Sequence, residues 1–73
     1  LFTYSWQEDS TDEWSTDAEN YVAISIRLLD DGTPEVLYVV SETPGDIEVY
    51  ELPGKTLDQA IIWSEEKDQR KGQ

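Results

Sequence analysis

The chain has no cysteine, no histidine and no methionine in 73 residues, and five lysines and arginines stand against seventeen aspartates and glutamates. Without cysteine there is no disulfide and no thiolate zinc site. Without histidine as well, the side chains most used for acid–base work near neutral pH and for nucleophilic triads are missing. A carboxylate pair of the glycosidase type is the catalytic arrangement the composition leaves open. It requires a cleft, and a chain only 37% hydrophobic has little scaffold for one once a core is built. We therefore expect no enzyme, no catalytic residue and no cofactor.

Long apolar runs are also lacking. Residues 36–40 form one of the longest, far below the roughly 20 residues that span a bilayer. Residues 1–6 have neither the basic start nor the long apolar middle of a signal peptide, so a cytoplasmic protein is expected. The four glycines are isolated, and no glycine-rich phosphate loop exists. At this length the chain holds one domain, residues 1–73, and a core this small rarely supplies more than about 3–5 kcal/mol net. So small a margin leaves room for a partner or a homodimer.

The apolar residues that are present give a coarse map. Residues 1–6 alternate Phe2, Tyr4 and Trp6 against smaller groups and predict a strand. Residues 7–20 carry six acids, no base and one aromatic, Trp14, and read as an acidic loop. Residues 21–29 place Val22, Ile24, Ile26 and Leu28 on one face of a second strand. Asp30-Asp31-Gly32-Thr33-Pro34 is turn chemistry, and residues 35–42, apolar on both faces in the middle, predict a central strand covered on both sides. Thr43-Pro44-Gly45-Asp46 suits a type II turn before a strand over residues 47–52. Thr56-Leu57-Asp58-Gln59 matches the capping box and predicts a helix start, with Leu57, Ala60, Ile61 and Ser64 on one face. Beyond Trp63 no apolar residue remains, which predicts a frayed tail over residues 65–73. The fold class is α+β: a small antiparallel sheet, a three-stranded meander plus an N-terminal strand, with one C-terminal helix packed on one face.

Charge is unevenly distributed. Residues 1–54 carry thirteen acids and one base, Arg27, whereas residues 55–73 are balanced at four of each. Such self-repulsion lowers the stability of a small domain unless an environment or a partner compensates it. One reading is a solvated, solubility-promoting surface. The sharper reading is a docking surface for a basic protein, formed by Glu8, Asp9, Asp12, Glu13, Asp17 and Glu19 with Asp30, Asp31, Glu35 and Glu42, in which carboxylates stand in for nucleic-acid phosphates. Direct binding of nucleic acid is disfavoured by the same repulsion. Trp14, an indole among carboxylates, is a candidate contact anchor, although a loop folded back to cover the core edge would also use it. No window fits the calcium-loop pattern, and the glycine its sharp turn needs is missing from residues 7–20, so no metal site is expected.

The run of strand, Asp-Asp-Gly turn, strand, Pro-Gly, strand and then Gly54-Lys55-Thr56-Leu57-Asp58-Gln59-Ala60 is similar to the small β-β-β-α domain of HicB-type antitoxins, where a Thr-Leu-x-x-Ala pattern opens the helix. The resemblance covers about fifty residues, leaves out the acidic leader, and implies a partner-binding domain that blocks a basic toxin. Two functions are thus expected. The first is a small acidic inhibitor or nucleic-acid mimic, of the phage or mobile-element kind directed against CRISPR or restriction systems. The second is a structural or regulatory interaction subunit, or an antitoxin-like domain, that docks through aromatic and sheet-edge surface.

Overall fold

Turn chemistry sets the path of the chain. The computed structural model describes residues 4–73, with five strands, β1 (Gln7–Ser10), β2 (Glu13–Asp17), β3 (Ala23–Leu28), β4 (Pro34–Val39) and β5 (Ile47–Glu51), followed by helix α1 (Leu57–Lys71). Between β3 and β4, Gly32 takes φ +87° and the Asp31 carboxylate accepts from Thr33 N–H at 2.9 Å. Between β4 and β5, Gly45 takes φ +85° after Pro44, and Asp46 N–H donates to the Thr43 carbonyl at 3.1 Å. Both positions need the positive φ that glycine adopts without a steric penalty. Tight connections pair each strand with the next, and the result is one antiparallel sheet in the order β1-β2-β3-β4-β5.

The α+β class with one helix on one face holds, but the strands differ from expectation at the N-terminal end. Leu1, Phe2 and Thr3 lie outside the described residues, and Tyr4, Ser5 and Trp6 are in no strand. The stretch 7–20, expected as a loop, instead contains the β1–β2 hairpin. Its turn uses no glycine. The Ser10 hydroxyl donates to the Asp12 carboxylate at 2.8 Å and accepts from Asp12 N–H at 3.4 Å, with an irregular register between Glu8 and Ser10. Every residue of β2 then pairs with β3, from Glu13 opposite Arg27 to Asp17 opposite Ala23. The hairpin is held by this ladder rather than by its own apolar side chains.

Registers place Trp14, Ile26, Val36 and Tyr50 in one row across the sheet and Thr16, Ile24, Tyr38 and Glu48 in the next, all on the helix side. Ile24, Ile26, Val36 and Tyr38 form the core with Tyr21, Ala60 and Ile61, and Tyr4, Trp6, Leu57 and Trp63 close around it. Tyr21 rather than Val22 is buried, because β3 begins only at Ala23 and the alternation does not extend back into the connection. The expectation that the third predicted strand is covered on both faces also fails. α1 covers one face of β4, while Leu37 and Val39 face the opposite side, where nothing among the described residues packs.

The helix starts where the capping box predicts. The Thr56 hydroxyl accepts from Gln59 N–H at 3.2 Å, and the Gln59 side chain accepts from Thr56 N–H at 2.9 Å. Replacing Thr56 with Ala leaves one helix-end donor without its partner and is expected to lower the unfolding free energy by about 1 kcal/mol, read as a shifted urea midpoint at unchanged slope.

Candidate functional site

The far end of α1 is pinned rather than frayed. Asp68 is 0% exposed, and its carboxylate accepts from the backbone N–H groups of Glu19, Asn20 and Tyr21, each at 2.9 Å. The Tyr4 hydroxyl donates to the same carboxylate, and Asn20 Nδ2 donates to the Asp68 carbonyl at 2.8 Å. One turn earlier, buried Glu65 accepts from Trp6 Nε1 at 2.7 Å and from Tyr4 N–H at 3.3 Å. Two acids on α1 thereby fasten the segment before β1 and the β2–β3 connection. Sequence reasoning treated this stretch as solvent-facing because it holds no apolar residue. The available signal was spacing: Ile61, Ser64, Glu65 and Asp68 continue the buried stripe at helical intervals.

Burial, the largest single effect on Asp68, pushes its carboxyl up, but the Tyr4 hydroxyl and the backbone N–H groups of Glu19, Tyr21 and Asn20 outweigh it and hold the group below the usual carboxylate range. Tyr4 is displaced the other way, to about 12, by burial and by its bond to Asp68.

A second polar cluster lies at the β5 side of the core. Glu48 accepts from the Tyr50 hydroxyl at 2.8 Å and the Tyr21 hydroxyl at 2.9 Å, with Lys67 Nζ 3.9 Å away. Lys67 also stands 4.7 Å from the Tyr50 ring centroid, and Lys71 stands 4.9 Å from that of Tyr21. The Tyr50 bond, followed by the Tyr21 bond and the Lys67 charge, prevails over burial and lowers the Glu48 carboxyl. Two of the chain's five cations are therefore engaged on the helix side.

The acids proposed from sequence separate into groups. Glu13, Asp17 and Glu35 point to the face opposite the helix, in registers that pair Glu13 with Arg27 and Arg27 with Glu35. Asp9 joins them by accepting from the Ser15 hydroxyl at 2.7 Å. Asp12, Asp30 and Asp31 lie in the β1–β2 and β3–β4 turns at one end of the sheet, around a shallow depression shared with Glu13 and Arg27. Asp9, Asp12, Glu13, Asp30, Asp31 and Glu35 form one acidic corner, whereas Asp17, opposite Ala23, stands at the other end of β2. Glu8 and Trp14 pair on the helix side, and Trp14 is half-buried there. Glu19 lies at the opposite end and accepts from Gln69 Nε2 at 3.0 Å, and Glu42 is exposed in the β4–β5 connection. Neither belongs to the corner. Sequence reasoning omitted Glu51, which follows Glu35 in the same row.

Arg27 bonds Glu35 at 2.7 Å in the middle of this corner, an exposed pair that neutralises one carboxylate. No three carboxylates among the described residues converge to hold a metal ion. No family model matches the chain, and neither a curated protein nor a solved structure matches it.

The Asp68 anchor makes a directional prediction. A carboxyl lowered on folding contributes stability that is fully present above the unfolded value, about 3.9, and is lost as pH falls through the folded value. Urea midpoints should fall as pH drops below about 4. Asp68→Asn turns an amide donor toward buried N–H groups and should remove about 3 kcal/mol or more, most of the stability a core of this size supplies.

Proposed function

We propose that this domain is a non-enzymatic protein-binding module whose acidic sheet corner occupies a basic surface of the kind nucleic-acid-binding proteins turn toward phosphate. The observation that carries this reading is the grouping of Asp9, Asp12, Glu13, Asp30, Asp31 and Glu35 on one corner of a rigid sheet, with Arg27 as the one base placed among them. Neighbouring carboxylates in a row are separated by one or two strand spacings, about 5–10 Å. Such an array produces a strongly negative local field and speeds encounter with a cationic partner.

Rigidity favours the same reading. The corner stands on ladder-paired strands and on turns with internal hydrogen bonds, so its charges are arranged before binding. The surface depressions are shallow, which suits a protein surface better than a small substrate. The partner in this reading is a basic protein, with no direct contact to nucleic acid and no membrane. The location it carries is the cytoplasm, where such proteins are met.

The test is capture of partners from the native host at about 50 and 200 mM salt, followed by displacement with duplex DNA. The expected partner is released by salt and by DNA, and Asp12→Lys with Asp30→Lys weakens capture at least tenfold at the lower salt. A specific partner that remains bound under all three changes overturns the proposal.

A further inference from the structure

The face opposite α1 is divided lengthwise. Its β4–β5 half carries Leu37 and Val39 beside Val49 and Ile47, the last two each 47% exposed. Its β1–β2 half carries Asp9, Glu13 and Asp17. Between them, β3 contributes Ala23 and Ser25 and, at its far end, Arg27 beside Glu35, with Ser15 next to Ser25 on β2. Small side chains between taller ones make a trough along β3. A depression of about 450 Å³ lies over Ser25 between Asp9 and Glu13 on one side and Leu37 on the other, with Arg27 and Glu35 at its end, and a smaller one of about 180 Å³ lies over Ala23, Ser15 and Asp17 on the β1 side.

We infer that this trough receives an amphipathic helix of the partner, with an apolar stripe against Leu37, Val39 and Val49 and a Lys/Arg stripe against Asp9, Glu13 and Asp17. The inference deepens the proposed function and rests on it. Width selects a helix: the acidic wall on β2 and the apolar wall on β4 are two strand spacings apart, about 10 Å, close to the diameter of an α-helix with its side chains. Charge selects its composition. The face carries Asp9, Glu13, Asp17, Glu35 and Glu51 against Arg27 alone, so a second copy of this chain would bring like charges together, whereas a basic stripe would be attracted. The helix would complete a third layer over a sheet covered on one side only.

The test uses the full chain with two synthetic probes. One is an 18-residue Leu/Lys peptide that forms an amphipathic helix, and the other is an oligolysine of equal charge. Binding is followed by amide chemical shifts in NMR and by titration. The expected result is that the Leu/Lys peptide binds at least tenfold more tightly than oligolysine and shifts Ala23, Ser25, Leu37 and Val49. Ile47→Ser with Val49→Ser should weaken it about tenfold. Ser25→Leu, which raises the trough floor without touching the exposed edge, should weaken it similarly and serves if the double variant folds poorly. Equal binding of both probes, unaffected by these variants but abolished by Asp9→Asn with Glu13→Gln, overturns the trough and leaves the acidic docking surface standing. Peptide binding at the trough that ignores those acid substitutions overturns the basic stripe and the acidic docking surface together. Dimerisation through this face in the absence of peptide overturns the inference as well.

Discussion

A buried anion with no ion-pair partner among the described residues holds this domain together. Asp68 gives up water for three backbone N–H groups and a tyrosine hydroxyl, and those charge-assisted bonds offset the desolvation that would otherwise exclude a carboxylate from the interior. The bonds converge from two directions. One comes from the β2–β3 connection and the other from the segment ahead of β1, so a single side chain on α1 fixes where both ends of the N-terminal hairpin run. A hairpin as polar as Gln7–Ser10 and Glu13–Asp17 has too few apolar groups to fold alone. Its position follows from the ladder with β3 and from this anchor.

The same arrangement sorts the charges. Lys67 and Lys71 lie over tyrosine rings on the helix side, and Glu48 accepts from the hydroxyls of those aromatics. Tyr21, Tyr38, Tyr50 and Trp63 run in successive contact across the core, with centroid separations of 4.3, 5.9 and 5.6 Å. Cations therefore stabilise the aromatic side of the molecule, where partial desolvation strengthens their attraction to the rings. The opposite face retains Arg27 alone among its carboxylates. Its negative field is a consequence of how the core uses its bases, as well as of how many acids the chain has.

Elements governed by local chemistry were legible in the sequence. The Asp31-Gly32 and Pro44-Gly45 turns, the strands they join and the Thr56–Gln59 capping box depend on residues within a few positions of one another. The β1–β2 hairpin was not legible, because its turn uses Ser10 and Asp12 in place of glycine and one of its faces meets water, which removes the apolar alternation that marks a strand. The strand expected over residues 1–6 rested on the alternation of Phe2, Tyr4 and Trp6. Tyr4 and Trp6 in fact turn their polar ends toward Glu65 and Asp68 across the molecule. Contacts between residues some sixty positions apart leave no local trace. Of the site, the acids themselves were visible, but only the register separates Asp9, Glu13 and Glu35 from Glu8, Glu19 and Glu42.

The apolar half of the open face requires its own account. Val and Ile favour strands through their shape, so Val39, Ile47 and Val49 could be explained by propensity alone. Propensity, however, acts on both faces and all strands, and the same side of β2 carries Glu13, Ser15 and Asp17. The division follows the sheet from edge to edge. An exposed edge bearing Ile47 and Val49 is also a site where another strand can add, a hazard that proteins limit with charge. Glu48 cannot serve that purpose on the open side, since it points beneath the helix, and Glu51 stands at the end of β5. Two copies meeting with these faces opposed would bring their carboxylates together and repel, whereas a surface of opposite charge would be attracted to the same face.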